Sequence, residues 1–230
     1  MINEFTTADA QISAMAEVII EALNDGIVER GRGCLAVSGG NSPKPLYQAL
    51  AQSDLDWEKI DIVMVDDRFV PLGHKASNET MIRETLLVGE AEKATFWPLY
   101  AEGELAAVAN QRAQEWKDLP SPDCAVMGMG SDGHTASWFP DADGLDNALA
   151  PTSNVVVPVI AKKSEVTGDF LERLTVSYGY LRDCPVRLLL MSGAEKRAVF
   201  ETACGDGAIN DMPIRALIRD MHSITAYWTE

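Results

Sequence analysis

A chain of 230 residues with 47% hydrophobic and 23% charged side chains has the make-up of a globular protein able to bury a substantial core. Its formal net charge of −16 opposes any long polyanion, which excludes nucleic acid as an expected partner. A small anionic ligand is compatible with that charge, because backbone dipoles and a few well-placed cations dominate the field inside a cleft. The opening MINEFTTADA lacks the basic segment and apolar core of a signal peptide, and no apolar run reaches bilayer-spanning length, so the expected setting is the cytoplasm with no membrane partner. Cys34, Cys124, Cys184 and Cys204 show no CxxC or metal-ligand spacing and read as reduced, buried thiols.

Apolar residues from Ile12 to Ile27 recur at helical spacing, which predicts a helix over 7–30 stopped by Gly31 or Gly33. Cys34–Val37 is a short strand running into SGGNSPKPL, where Gly39 and Gly40 make a turn, Ser42 is a candidate N-cap and Pro43 suits the first helical turn. Ile60–Val65 reads as a second strand, ending in Asp66, Asp67 and Arg68, and Ser77 can cap a helix from Asn78 to Leu87. Thr95–Leu99 is a third strand, Gly103–Lys117 a helix, and Cys124–Met127 a buried strand that breaks off at Gly128. Beyond Pro140 the pattern weakens: Val155–Ile160, Arg173–Val176 and Val186–Met191 read as strands, Ala194–Ala203 and Pro213–Asp220 as helices, and Ile224–Trp228 as a last strand. Residues 140–172 carry the least pattern, leaving room for a strand-rich excursion or lid. Strands alternating with helices imply an α/β fold: a mostly parallel, Rossmann-like sheet with helices on both faces, in one domain over 1–230.

The chemistry collects at strand ends, where ligands bind in open parallel sheets. SGGNSP, between a strand and a helix, converges backbone N–H groups on a positive helix end that suits a phosphate; a plain tight turn would use the same glycines. Asp66-Asp67-Arg68 reads either as catalytic carboxylates beside a guanidinium or as a surface turn with a local ion pair. In CAVMGMGSDGHTASWFP, glycines present Asp132 and His134 at a strand's carboxyl end, which suits an oriented general base; the plainer reading is a turn histidine packed on Trp138. GMGSDG matches GxGxxG, but no helix follows before Pro140 and no acidic residue closes the next strand, so a dinucleotide is not expected.

SGGNSP, VDDR, Ser77-Asn78, GMGSDGHTASWFP, ERLT (172–175) and SGAEK (192–196) stand in the order and spacing of the 6-phosphogluconolactonases, which the chain resembles over nearly its whole length. The resemblance implies a Rossmann-like domain shared with glucosamine-6-phosphate deaminase and ribose-5-phosphate isomerase. It implies hydrolysis of 6-phosphoglucono-δ-lactone in the oxidative pentose phosphate pathway, with no metal and no organic cofactor. By the same likeness His134 is the general base, Asp132 orients it, and Arg68 lies near the lactone or the phosphate. Gly39, Gly40 and Ser42 match the phosphate-side loop, and Arg173 and Lys196 the cations that hold the phosphate. Asp66 and Asp67 are possible further participants. Two positions depart from the family pattern: Asp67 stands where Glu is usual, shortening its reach, and Ser131 where Pro is common.

Such a site expects one small anionic sugar phosphate as partner, in a monomer or small homo-oligomer. The alternatives are an aminosugar-phosphate isomerase or deaminase, and a sugar-phosphate-binding module without turnover. Against the deaminase, those enzymes carry a glutamate shortly after the histidine, where this chain has Phe139 before Pro140. A Ser-His pair built on Ser131 or Ser137 lacks the GxSxG elbow.

Overall fold

The computed structural model describes residues 1–230. In chain order the elements are β1 (Ile2–Phe5), α1 (Ala8–Arg30), β2 (Gly33–Val37), α2 (Lys44–Ala51), β3 (Ile60–Met64), β4 (Asp66–Arg68), α3 (Asn78–Thr85), β5 (Thr95–Trp97), α4 (Leu105–Glu115) and β6 (Cys124–Met127). There follow α5 (Leu145–Leu149), β7 (Val156–Ile160), β8 (Glu172–Val176), α6 (Tyr178–Leu181), β9 (Val186–Ser192), α7 (Gly193–Cys204), α8 (Arg215–Ile218) and β10 (Thr225–Thr229).

Strands β2, β3 and β6 are buried at every position, as a parallel strand covered on both faces must be. They form the middle of a seven-stranded sheet, in the order β1-β10-β9-β6-β2-β3-β5, and every pairing in it is parallel. From β2 the chain first builds outward through β3 and β5, then returns to lay β6, β9 and β10 on the other side. The order therefore reverses between β2 and β6, and the loops leaving those two strands diverge to open a crevice. A second sheet, β4-β8-β7, is antiparallel and carries α4 against β7 and β8. One connected cluster of 58 buried hydrophobic residues runs from Met15 to Tyr227.

The expected helices and strands are present with boundaries shifted by a few residues, and the differences have local causes. β1 was not expected, because INEF is half polar; it is an edge strand that pairs only with β10. Pro43, in the αR region, occupies the N-cap of α2 with no side-chain cap bond, so Ser42 does not cap that helix. Ser77 does cap α3, its hydroxyl accepting from the Thr80 N–H at 3.2 Å. Asp66–Arg68 is a strand, not a surface turn, whereas the excursion over 140–172 is not strand-rich: it holds one short helix, α5, and one strand, β7, joined by loops, and only Glu172 of it begins β8. All four cysteines are free thiols; Cys34, Cys124 and Cys184 are buried, whereas Cys204 is exposed.

Arg187, fully buried at the start of β9, ties the segment before β10 to the sheet. Its guanidinium donates to the Asp220 carboxylate at 3.0 Å and to the carbonyls of Cys184 and Arg182, both at 3.2 Å. Burial acts to raise the Asp220 pKa, but hydrogen bonds from Arg187 and Tyr178 outweigh it and hold the carboxyl below its ordinary value. That stabilisation is complete above the unfolded-state value of about 4 and is lost as pH falls through the lower folded value. Asp220→Ala should cost about 2–3 kcal/mol, because it strands a buried guanidinium that keeps two carbonyl partners. Urea unfolding of the pair checks this: the difference should be full at neutral pH and shrink below about pH 4.

Candidate active site

The crevice at the reversal point holds a cavity of about 610 Å³. Gly39, Gly40 and Ser42 line it from the exit of β2, His134 from the exit of β6, and Lys196 from α7. Asp66, Arg68 and Arg173 line it from the small sheet, so eight of the ten residues singled out from the sequence converge on one space. The other two, Asp132 and Asp67, stand behind its wall.

His134 is held by its own turn. The Asp132 carboxylate accepts from the His134 backbone N–H at 3.1 Å and lies 2.6 Å from Nδ1 of the ring. Burial would raise the Asp132 pKa, but the ring hydrogen bond and the charge of His134 outweigh it, so the carboxyl is held below its usual range and is ionised at neutral pH. In the neutral imidazole an ionised acceptor at Nδ1 favours the tautomer with the proton there and the lone pair on Nε2, which has no protein hydrogen-bond partner. The ring packs on Phe139, with centroids 4.3 Å apart, and not on Trp138, which is fully buried and donates its indole N–H to Val176. The turn closes tightly: Gly130 N–H donates to the His134 carbonyl at 2.9 Å, and a Cβ on Gly130 would overlap both the imidazole and the Asp132 carboxylate.

The antiparallel pairing of β4 with β8 sets Arg68 directly opposite Arg173. Like charges opposite each other across a strand pair are destabilising, and here they concentrate positive potential at the cavity wall. Arg173 is 3% exposed; burial above all, and the facing Arg68, push its pKa down to about 10, with Asp66 acting the other way. Its Nε and Nη2 donate to the carbonyls of Phe170 and Thr167 at 2.8 and 2.9 Å, while Nη1 has no protein partner. The guanidinium also lies 5.3 Å over the Phe139 ring, so one aromatic side chain separates the histidine from the arginine. Arg68 donates from Nη1 to the Ala76 carbonyl at 2.8 Å.

The neighbouring aspartates have different duties. Asp66 accepts the hydroxyl of fully buried Ser137 at 2.6 Å on Oδ2 and reaches the cavity wall. Asp67 is turned inward: it accepts from the N–H groups of Arg68, Asn78 and Glu79 and from the Ser77 hydroxyl, anchoring the start of α3. Burial nonetheless pushes its pKa up to about 7 against those hydrogen bonds. Its position explains how an aspartate serves there, since the reach required is to adjacent backbone and not to the cavity.

Asn78 was legible only as part of a motif, with no role attached. Its amide donates to the Asp66 carbonyl at 3.1 Å, and it packs so closely on Gly39 that a Cβ there would overlap it. The β2 exit and the small sheet are thereby locked together. Lys196 donates from Nζ to the Met129 carbonyl at 2.7 Å, bringing its charge to the β6 exit. Glu165 and Val166 also line the cavity from the loop between β7 and β8, and no sequence pattern announced them. The three histidine, cysteine and carboxylate types nowhere gather into a group able to hold a metal ion.

Gly130→Ala should dislodge the imidazole at a cost of about 1–3 kcal/mol in overpacking. The hydrogen-bonded Nδ1 proton of His134, followed by NMR, should disappear while the chain stays folded. Survival of the wild-type resonance would show that the turn accommodates a methyl group.

Comparison with known proteins agrees with this architecture. The profile of glucosamine-6-phosphate isomerases/6-phosphogluconolactonase matches residues 6–228. A 6-phosphogluconolactonase of Rhizobium meliloti is 37% identical over 97% of this chain and 96% of its own, and one of Pseudomonas putida is 34% identical over 99% and 92%. A 6-phosphogluconolactonase crystal structure from Shewanella baltica superposes with a TM-score of 0.93 at 31% identity, covering 100% of this chain and 97% of the other. A crystal structure of a putative 6-phosphogluconolactonase from Neisseria gonorrhoeae gives 0.89 at 30% identity, covering 100% and 99%. With a reversal-point cavity of this design and matches over nearly its full length, the chain belongs to the glucosamine-6-phosphate isomerase/6-phosphogluconolactonase family.

Proposed function

We propose that this protein hydrolyses 6-phospho-D-glucono-1,5-lactone to 6-phospho-D-gluconate in the oxidative pentose phosphate pathway. The observation that carries the reading is an imidazole whose Nδ1 is held by an ionised carboxylate while Nε2 stands free in a cavity lined by Arg68, Arg173 and Lys196. The relatives named for this activity match along almost their whole length. Four free thiols, none in a disulfide, support work in the reducing cytoplasm, and no helix is long and apolar enough to cross a membrane. The single connected core supports one domain over 1–230.

A lactone is an activated ester, so its hydrolysis requires a deprotonated water, a partner for the developing oxyanion and a grip on the remote phosphate. In this reading Nε2 of His134 takes the proton from water as the water oxygen bonds to C1. Asp132 stabilises the imidazolium that forms. Collapse of the tetrahedral intermediate breaks the bond from C1 to the ring oxygen, which receives the proton from His134. The new carboxylic acid then ionises. Arg68 or the N–H groups of the glycine turns stabilise the oxyanion. The unpartnered Nη1 of Arg173, Lys196 and the Gly39–Ser42 turn hold the phosphate, whose binding energy fixes the attack geometry.

The aminosugar-phosphate deaminase alternative is disfavoured by Phe139. An apolar ring packs against His134 in the region where a deaminase needs a carboxylate. A binding module without turnover would leave the Asp132-oriented histidine with no task.

Hydrolysis of freshly generated lactone, followed by acid release against the spontaneous rate, tests the reading. His134→Ala should lower kcat by about 10²–10⁴-fold, the usual worth of one positioned general base. An unchanged rate would remove His134 from the mechanism, and no acceleration by the wild type would sink the lactonase reading. Arg173→Ala should chiefly raise KM, as loss of binding shared by ground and transition states does. Loss confined to kcat would move Arg173 to the lactone end.

A further inference from the structure

A cavity that collects three cations for an anionic substrate also carries an acidic side chain that works against them. Glu165 lines the cavity wall, is exposed, and takes part in no hydrogen bond or ion pair with the protein. The other lining carboxylate, Asp66, is tied through Oδ2 to buried Ser137 and offsets the facing arginines. Glu165 has no such partner, so its charge acts on whatever occupies the cavity.

Its position is built. The loop 161–171 closes on itself through the Ala161 N–H to the Leu171 carbonyl at 2.9 Å. Inside it, Thr167 Oγ1 accepts from the Ser164 N–H at 2.8 Å and donates to the Lys162 carbonyl at 2.7 Å, and the Gly168 N–H donates to the Ser164 carbonyl at 3.0 Å. Glu165 sits in that turn. Arg173 then clamps the loop from beneath through the carbonyls of Thr167 and Phe170. The residue read as holding the phosphate is therefore also the anchor of the loop that carries the carboxylate to the cavity.

Lactone hydrolysis supplies a reason for such a charge. Substrate and product share the phosphate, and ring opening adds one ionised carboxylate, so the product differs from the substrate chiefly by one negative charge. A fixed anion at the wall raises the free energy of both, and that of the product more. We propose that Glu165 distinguishes product from substrate by charge and so promotes product release; the inference rests on the lactonase reading above.

The test compares KM for the lactone with the inhibition constant of 6-phosphogluconate, at low ionic strength, in wild type, Glu165→Gln and Asp25→Asn. Asp25 is an exposed carboxylate near the end of α1, which leads into the amino end of β2, and it serves as the control at the opposite edge of the sheet. Glu165→Gln should tighten product binding by about 3- to 10-fold while KM falls by a smaller factor, as expected for one partly screened charge. The gap should close in about 1 M salt, where the Debye length is about 3 Å. Asp25→Asn should leave the ratio of the two constants as in wild type. An unchanged inhibition constant in Glu165→Gln, equal factors on both constants, or the same shift in Asp25→Asn would overturn the inference alone. Absence of lactone turnover in the wild type would overturn the functional reading and this inference with it.

Discussion

The site depends on a repulsion that the fold imposes. Strands β4 and β8 pair so that Arg68 and Arg173 face each other, two guanidinium groups from distant parts of the chain in one strand pair. Isolated, such a pair is unfavourable. Here it is sustained because Asp66 lies beside it, Arg173 spends two of its donors on loop carbonyls, and the sheet that forces the contact is itself anchored. The anchors are the Thr175 hydroxyl on the Val65 carbonyl at 3.1 Å, the Val176 N–H on the same carbonyl at 2.8 Å, and Asp67 on the start of α3. What remains is positive potential at the cavity wall, the feature on which the proposed anionic substrate draws.

The two sheets divide the chemistry between them. The large parallel sheet ends in glycine turns that hold His134 and present the β2 loop, both consequences of the chain reversing between β2 and β6. The small antiparallel sheet contributes the arginines, Asp66 and the loop bearing Glu165. Phe139 stands where the two meet, against the imidazole on one side and under the Arg173 guanidinium on the other. Asn78 joins them by filling the space over Gly39 while bonding to the Asp66 carbonyl. The imidazole and the guanidinium are therefore spaced by packing, the separation that the proposed reaction, with a remote phosphate and an attacking water, calls for.

Much of this was legible in the residues themselves. Short apolar runs ending in glycine or charge marked the parallel strands, and the Asp132–His134 pair could be read from its spacing because the hydrogen bonds that join it lie within one turn. The separate duties of Asp66 and Asp67 were not legible. Adjacent residues on a strand point to opposite faces, and which face met the cavity depended on the partner strand β8. Glu165 was invisible for a related reason: loop 161–171 has no periodicity, and its place follows from hydrogen bonds to Arg173.

By itself the sequence determined the α/β alternation, the strand exits where chemistry collects, and an oriented histidine in a glycine turn, since each is fixed by propensity, hydrophobic period or contacts within a few residues. The tertiary structure alone decided that Asp66–Arg68 is a strand, that Arg68 faces Arg173, that Ser137 supports Asp66, and that Glu165 lines a cavity walled by cations. Those are pairings between distant segments, set by sheet register and by the packing that holds it.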